Sequence, residues 1–128
     1  MKKDIEGRTD IKLLIDTFYI KVRADESIGY IFDEIAKVDW ENHIPIMYDF
    51  WENTLFHTGS YKRNAMQPHL DLNEKISLTK AHFDQWLLIF KTTVDELFVG
   101  EVAHNAKTRA ISIATMIQIK MSNSSNIL

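Results

Sequence analysis

The chain has 128 residues, of which 45% are hydrophobic and 26% charged, and its formal net charge is -3. This length fits one domain that buries a core without disulfides or structural metals. The slightly acidic balance excludes attraction of nucleic acid or anionic lipid by bulk charge. The absence of cysteine excludes disulfides, thiolate metal sites and cysteine nucleophiles together.

The N-terminal segment MKKDIEGRTD has no apolar stretch after its lysines, and no apolar run approaches membrane-spanning length. We therefore expect a soluble cytoplasmic protein with no membrane and no nucleic acid among its partners. We expect a single domain over 1–128, structured over about 4–121, with a polar tail at 122–128. Four glycines and two prolines are too few turn residues for an all-β fold, so we predict an all-α fold.

Apolar residues at helical spacing predict two helices and a short apolar turn in the first half of the chain. The first helix, capped by Thr9 or Asp10, presents one apolar face: Ile11, Leu14, Ile15, Phe18, Tyr19 and Val22. The turn carries a second, shorter pattern: Ile28, Ile31, Phe32 and Ile35. The next helix, with Asp39 as its N-cap, presents a third face: Trp40, His43, Ile44, Met47, Trp51 and Leu55. Pro45 predicts that this helix starts late or bends.

Residues 57–75 lack a sustained period and predict a long loop, with a helical turn around His69. A strong amphipathic pattern then runs from Ile76 to Phe98, and Gly100 is a fair stop. The last helix is predicted from about Val102 to Met121. Its inward positions are mostly alanines, which permit close helix approach.

Four polar or partly polar side chains stand out. Tyr19, His43 and Trp86 fall where the helical pattern expects apolar residues, and His69 falls in the predicted loop. Tyrosines on such faces commonly extend the hydroxyl to the surface, and histidines there are commonly structural. No two of the five histidines have the H-x-x-x-H spacing of a compact zinc site. The residues alone therefore permit a helical module that binds a partner protein or a lipid and carries no cofactor.

Five segments in register, taken together, resemble the group III truncated haemoglobins of bacteria over about residues 4–121. They are FYIKVR (18–23), GYIF (29–32), DWENHIPIMYDFW (39–51), QPHLDL (67–72) and HFDQWLLIF (82–90). The resemblance implies a truncated globin, a two-over-two helical sandwich around haem b. It departs from many relatives at YKRNAM (61–66), which lacks their glycine and proline before the proximal histidine.

The resemblance also implies the site residues. His69 matches the proximal ligand of the haem iron, and one imidazole is the usual proximal ligand of globins. The distal ligand-binding positions are Tyr19, His43 and Trp86. The implied haem contacts are Phe32, Met47, Met66 and Phe83, with Lys62 or Arg63 as the partner of a propionate.

These residues imply reversible binding of oxygen, nitric oxide, carbon monoxide or peroxide as small ligands. Two distal donors predict tight oxygen binding and slow release, because affinity differences among related complexes lie mostly in the off-rate. Nitric oxide dioxygenase or peroxidase-like activity, fed by a reductase, is a hypothesis at this point. We expect a monomer.

Overall fold

A computed structural model describes residues 2–59 and 78–126, with side chains up to residue 120. Within these ranges the chain is helical, and its one bridge is an isolated parallel pairing of Lys3 with Phe98. The α-helices are α1 (Arg8–Ala24), α2 (Trp40–Phe56), α3 (Lys80–Leu97) and α4 (Glu101–Asn126). A π-helical turn spans Ile31–Ile35. The predicted all-α fold is confirmed, and the expectations for the 60–77 loop fall outside the described residues.

Helix α1 buries the face that the sequence predicted, from Ile11 to Val22, and packs against both α2 and α3. The predicted caps are wrong, because the helix begins at Arg8 with Gly7 in the N-cap position. Asp10 lies instead in the first turn, where its carboxylate accepts the backbone N–H of Glu6 at 2.9 Å. A carboxylate there also complements the positive end of the helix dipole.

Helix α2 begins directly after Asp39, as predicted, and Pro45 neither delays its start nor interrupts it. Pro45 lies exposed in the second turn of the helix. Its ring and the backbone hydrogen bond that it cannot donate are therefore accommodated on the outer face of the helix. The helix ends where His57 takes a left-handed conformation, with φ of 57°. Its backbone N–H then closes the last turn on the carbonyl of Asn53.

Helices α3 and α4 follow each other directly and form a helical hairpin. Only three residues, ending at Gly100, separate them. Thr79 caps α3 through a reciprocal pair of hydrogen bonds with His82, so the helix begins later than the predicted Ile76. Helix α4 continues to Asn126, past the predicted Met121, since no glycine or proline follows to stop it. Their seam is lined by small buried side chains of α4: Ala103, Ala106, Ala110 and Ala114.

Asp4 closes the corner between α3 and α4. Its carboxylate accepts the backbone N–H groups of Val102 at 2.9 Å and Ala103 at 2.8 Å, the free donors of the α4 N-terminus. Gly100 is required here, because its φ is 141° and a β-carbon would come within 2.4 Å of the Asp4 side chain. No helix among the described residues is long and apolar enough to cross a membrane.

Candidate functional site

The polar side chains that the sequence placed on the inner faces of α1 and α2 meet. The Tyr19 hydroxyl lies 3.4 Å from Nε2 of His43, and only 8% of the Tyr19 side chain is exposed. The tyrosine therefore does not extend to the surface. A separation of 3.4 Å is long for a bond of this kind, so the pair is weak and its hydroxyl can turn to another acceptor.

Burial raises the pKa of Tyr19 well above its ordinary value, because the phenolate has no solvation inside the core. The hydroxyl therefore stays protonated throughout the physiological pH range. The ring that carries this donor lies among aromatic side chains, with its centre 4.9 Å from the ring centre of Phe18 and 5.2 Å from that of Trp40.

Trp86, on α3, supplies a second polar group next to the same core. Its ring meets Phe18 edge to face at 5.6 Å and stacks on Phe90 at 5.8 Å with an interplanar angle of 13°. The indole is half-buried, and within 2–59 and 78–126 its N–H has no hydrogen-bond partner. Since Phe18 touches both Trp86 and Tyr19, α1 links the two candidate donors.

Three further predicted contacts lie around this aromatic group. Phe32, on the π-helical turn, and Met47, on α2, are half-buried and pack against the core while leaving apolar surface uncovered. Phe83, on α3, is buried in a second small cluster with Ala114 and Ile117, and Trp86 packs against that cluster as well. His69, Met66, Lys62 and Arg63 lie outside the described residues.

A sequence model of the family described as bacterial-like globin matches residues 3–123. The chain is a bacterial-like globin. It is 28% identical over 121 residues to the group 3 truncated haemoglobin ctb of Campylobacter jejuni, covering 92% of this chain and 93% of that protein. A crystal structure of a group III truncated haemoglobin from Campylobacter jejuni is also similar, with a TM-score of 0.81 and 28% identity. That match covers 94% of this chain and 95% of the other.

Membership in this globin family means a haem-binding protein for small diatomic ligands such as oxygen, and it confirms the truncated globin fold that the resemblance implied. It also decides against the haem-free module that the residues alone left open. The described residues fit haem. They supply partly uncovered apolar side chains for the macrocycle, an unpaired indole N–H and a phenol in a loose hydrogen bond.

Within the described residues no group of three or more histidine, cysteine or acidic side chains could hold a metal ion by itself. Haem iron needs only one protein ligand, so this finding is compatible with the family's chemistry.

Sequence reasoning missed one element of this site. The sequence pattern assigns Trp40 only to the apolar face of α2, yet its ring contacts both Tyr19 and His43. Its indole N–H donates to Asp33 at 2.7 Å. The available signal was an aromatic residue one helical turn before His43, but spacing alone does not indicate a partner seven residues upstream.

Proposed function

We propose that this globin binds oxygen reversibly at haem b, with His69 as the protein ligand of the iron and Tyr19, His43 and Trp86 around the bound ligand. Haem iron supplies reversible coordination of a diatomic ligand, and the protein supplies the environment that decides how long the ligand stays. The observation that carries the proposal is the buried, protonated hydroxyl of Tyr19 in a weak contact with His43.

Tyr19 is the principal donor of this pocket. A hydrogen bond from its hydroxyl to a ligand that carries partial negative charge would contribute roughly 1.5–3 kcal/mol. The 3.4 Å contact with His43 is weak enough to be exchanged for such a bond at little cost. His43 then contacts the Tyr19 hydroxyl on the side away from the ligand. This contact restricts the directions in which the hydroxyl turns.

Trp86 is the second donor. Its indole N–H has no partner elsewhere in the described residues, so donation to a ligand breaks no existing bond. Stacking on Phe90 and the edge contact with Phe18 hold the ring in one orientation, which lowers the entropy lost when it donates. Donors from α1 and α3 would thus converge on one ligand.

The remaining predicted residues hold the cofactor. Phe32, Met47 and Phe83, together with Met66, would cover the macrocycle with apolar surface, at about 25 cal/mol per Å² removed from water. Lys62 or Arg63 would pair with a propionate, since both carry a charge complementary to a carboxylate.

Slow ligand release suits oxygen held for reaction better than oxygen carried between sites. We infer a role in the removal of nitric oxide or peroxide, with electrons supplied by a reductase, and a steady-state assay with a reductase tests it. A single domain over 1–128, a monomeric state and a cytoplasmic location stay predictions.

The direct test of the proposal is the oxygen dissociation rate of Tyr19→Phe measured by stopped flow. Loss of one hydrogen bond to a charged acceptor predicts release roughly 10- to 150-fold faster than in the wild type. Tyr48→Phe is the matched control, because Tyr48 lies on the outer side of the α1–α2 pair and donates to Asp16. Equal rates in Tyr19→Phe and in the wild type would refute the donor role of Tyr19.

A further inference from the structure

Trp40 takes part in two groups of side chains whose members are in mutual contact. In the first, the rings of Tyr19, Trp40 and His43 are in mutual contact, with centre-to-centre distances of 5.2, 5.6 and 5.8 Å. Two of these rings belong to the pocket proposed above, Tyr19 as its principal donor and His43 as the neighbour that restricts the Tyr19 hydroxyl. The third has no role in the function proposed above.

The second group ties Trp40 to two other parts of the chain. Its indole N–H donates to Oδ1 of Asp33 at 2.7 Å, and the Arg23 guanidinium lies 4.9 Å from its ring centre. Arg23 also donates to the same carboxylate oxygen at 3.2 Å. Arg23 lies at the end of α1 and Asp33 on the π-helical turn, so three segments meet at one ring.

The backbone supports this arrangement. The π-helical turn is closed by the bond from the Ala36 N–H to the Ile31 carbonyl at 2.8 Å, which places Asp33 in the middle of the turn. Gly29 allows the preceding segment to approach the end of α1, because a β-carbon there would lie 2.6 Å from the Arg23 carbonyl oxygen. Turns of this kind occur frequently at functional sites.

An open cleft of about 330 Å³ adjoins the same rings and is lined by Tyr19, Ile20, Arg23, Trp40 and Ile44, with Asp16 at its side. The Trp40 ring is thus part of the wall between the buried Tyr19 and solvent.

We propose that Trp40, anchored by Asp33 and Arg23, is a positioning residue that fixes the Tyr19–His43 pair and thereby the strength of the hydrogen bond to the ligand. It acts through the pair and touches no ligand itself. This inference rests on the proposed function, because it assigns a support to the Tyr19–His43 pair named there.

The test uses the haem-loaded protein with carbon monoxide and records the C–O stretching band, which reports the polarity next to the ligand rather than the stability of the fold. Asp33→Asn removes the carboxylate charge and the ion pair with Arg23. Trp40→Phe keeps a ring but removes the N–H. Glu34→Gln is the matched control, because it removes the same charge from the same turn. Glu34 is exposed and has no partner among the described residues.

We expect Asp33→Asn and Trp40→Phe to shift the band or split it into two, and to speed oxygen release about fivefold, the factor that corresponds to one ordinary hydrogen bond. Glu34→Gln should match the wild type. An unchanged band in either Asp33→Asn or Trp40→Phe overturns the inference. An equal change in Glu34→Gln overturns it as well, because the effect would then be one of net charge.

Tyr19→Phe separates the two proposals. If its band equals that of the wild type, the donor role of Tyr19 fails. If its band shifts while those of Asp33→Asn and Trp40→Phe do not, the proposed function stands and the positioning role of Trp40 fails.

Discussion

The seam between α1 and α2 differs from the seam between α3 and α4. The α3–α4 seam is lined by buried alanines and valine, with Ala106, Ala110 and Val94 fully enclosed. The α1–α2 seam carries a phenol, an imidazole and an indole, and most of its α2 side chains are only half-buried. Close packing of small side chains stabilises a fold. Burying polar groups without strong hydrogen bonds costs stability.

The two seams meet at one aromatic group, which explains how they can differ and remain coupled. Phe90 of α3 stacks on Trp51 of α2 at 4.8 Å and meets Phe18 of α1 at 5.2 Å. All three side chains are at most 4% exposed. The closely packed α3–α4 half of the protein therefore supports the α1–α2 seam through this aromatic contact.

We expect the largest change in unfolding free energy from Ala106→Leu, which tests the packing of the α3–α4 seam. A leucine has no space in the α3–α4 seam, and such overpacking costs typically about 1–3 kcal/mol of unfolding free energy. Chemical denaturation measures it, with Asn105→Leu on the exposed face of α4 as the control. The oxygen dissociation rate should stay at the wild-type value. A large change in that rate with little change in stability would break the division between the seams.

A smaller effect is expected from Asp4→Asn. Burial raises the pKa of the Asp4 carboxyl, but the N–H groups of Val102, Ala103 and Ile5 outweigh it and hold the pKa below its ordinary 3.8. A depressed pKa means that the folded state binds the proton less tightly than the unfolded chain. The stabilisation is therefore fully present above pH 3.8 and is lost as the pH falls through the folded-state pKa.

Asp4→Asn keeps one acceptor oxygen and removes the charge. We expect it to lower the unfolding free energy by about 1 kcal/mol at neutral pH, as for a weakened helix cap. Its stability should also fall less steeply than that of the wild type below pH 4. Glu26→Gln, which is exposed, is the control. Parallel acid profiles for Asp4→Asn and the wild type would contradict the role of Asp4 as a cap.

The helical fold was predictable because the apolar spacing of α1, α2 and α3 is regular and few turn residues interrupt it. The start of α2 after Asp39 was predicted too, whereas the start of α1 was wrong, since Arg8 and Thr9 carry no apolar signal before Ile11. Periodicity describes only the inner face, so the ends of α1 and α4 had to be read from weaker signals.

The grouping of the candidate side chains was predictable in part, and their roles stay predictions. Periodicity identified Tyr19, His43 and Trp86 as polar exceptions, and the resemblance to a family gave them a common purpose. Neither indicated the bond between Trp40 and Asp33, because it joins a π-helical turn to a helix start, and that geometry has no simple sequence period. Contacts between segments depend on how the chain folds back on itself. The spacing of residues along one helix carries no information about that.

The most direct test of the whole account is the absorption spectrum of reduced His69→Gly with carbon monoxide, recorded with and without added imidazole. The account predicts that the variant binds little haem alone, and that imidazole restores the band and its shift with carbon monoxide, because it replaces the missing ligand. His104→Gly, exposed on α4, should behave as the wild type. A haem spectrum in His69→Gly that equals the wild type without imidazole would contradict the account.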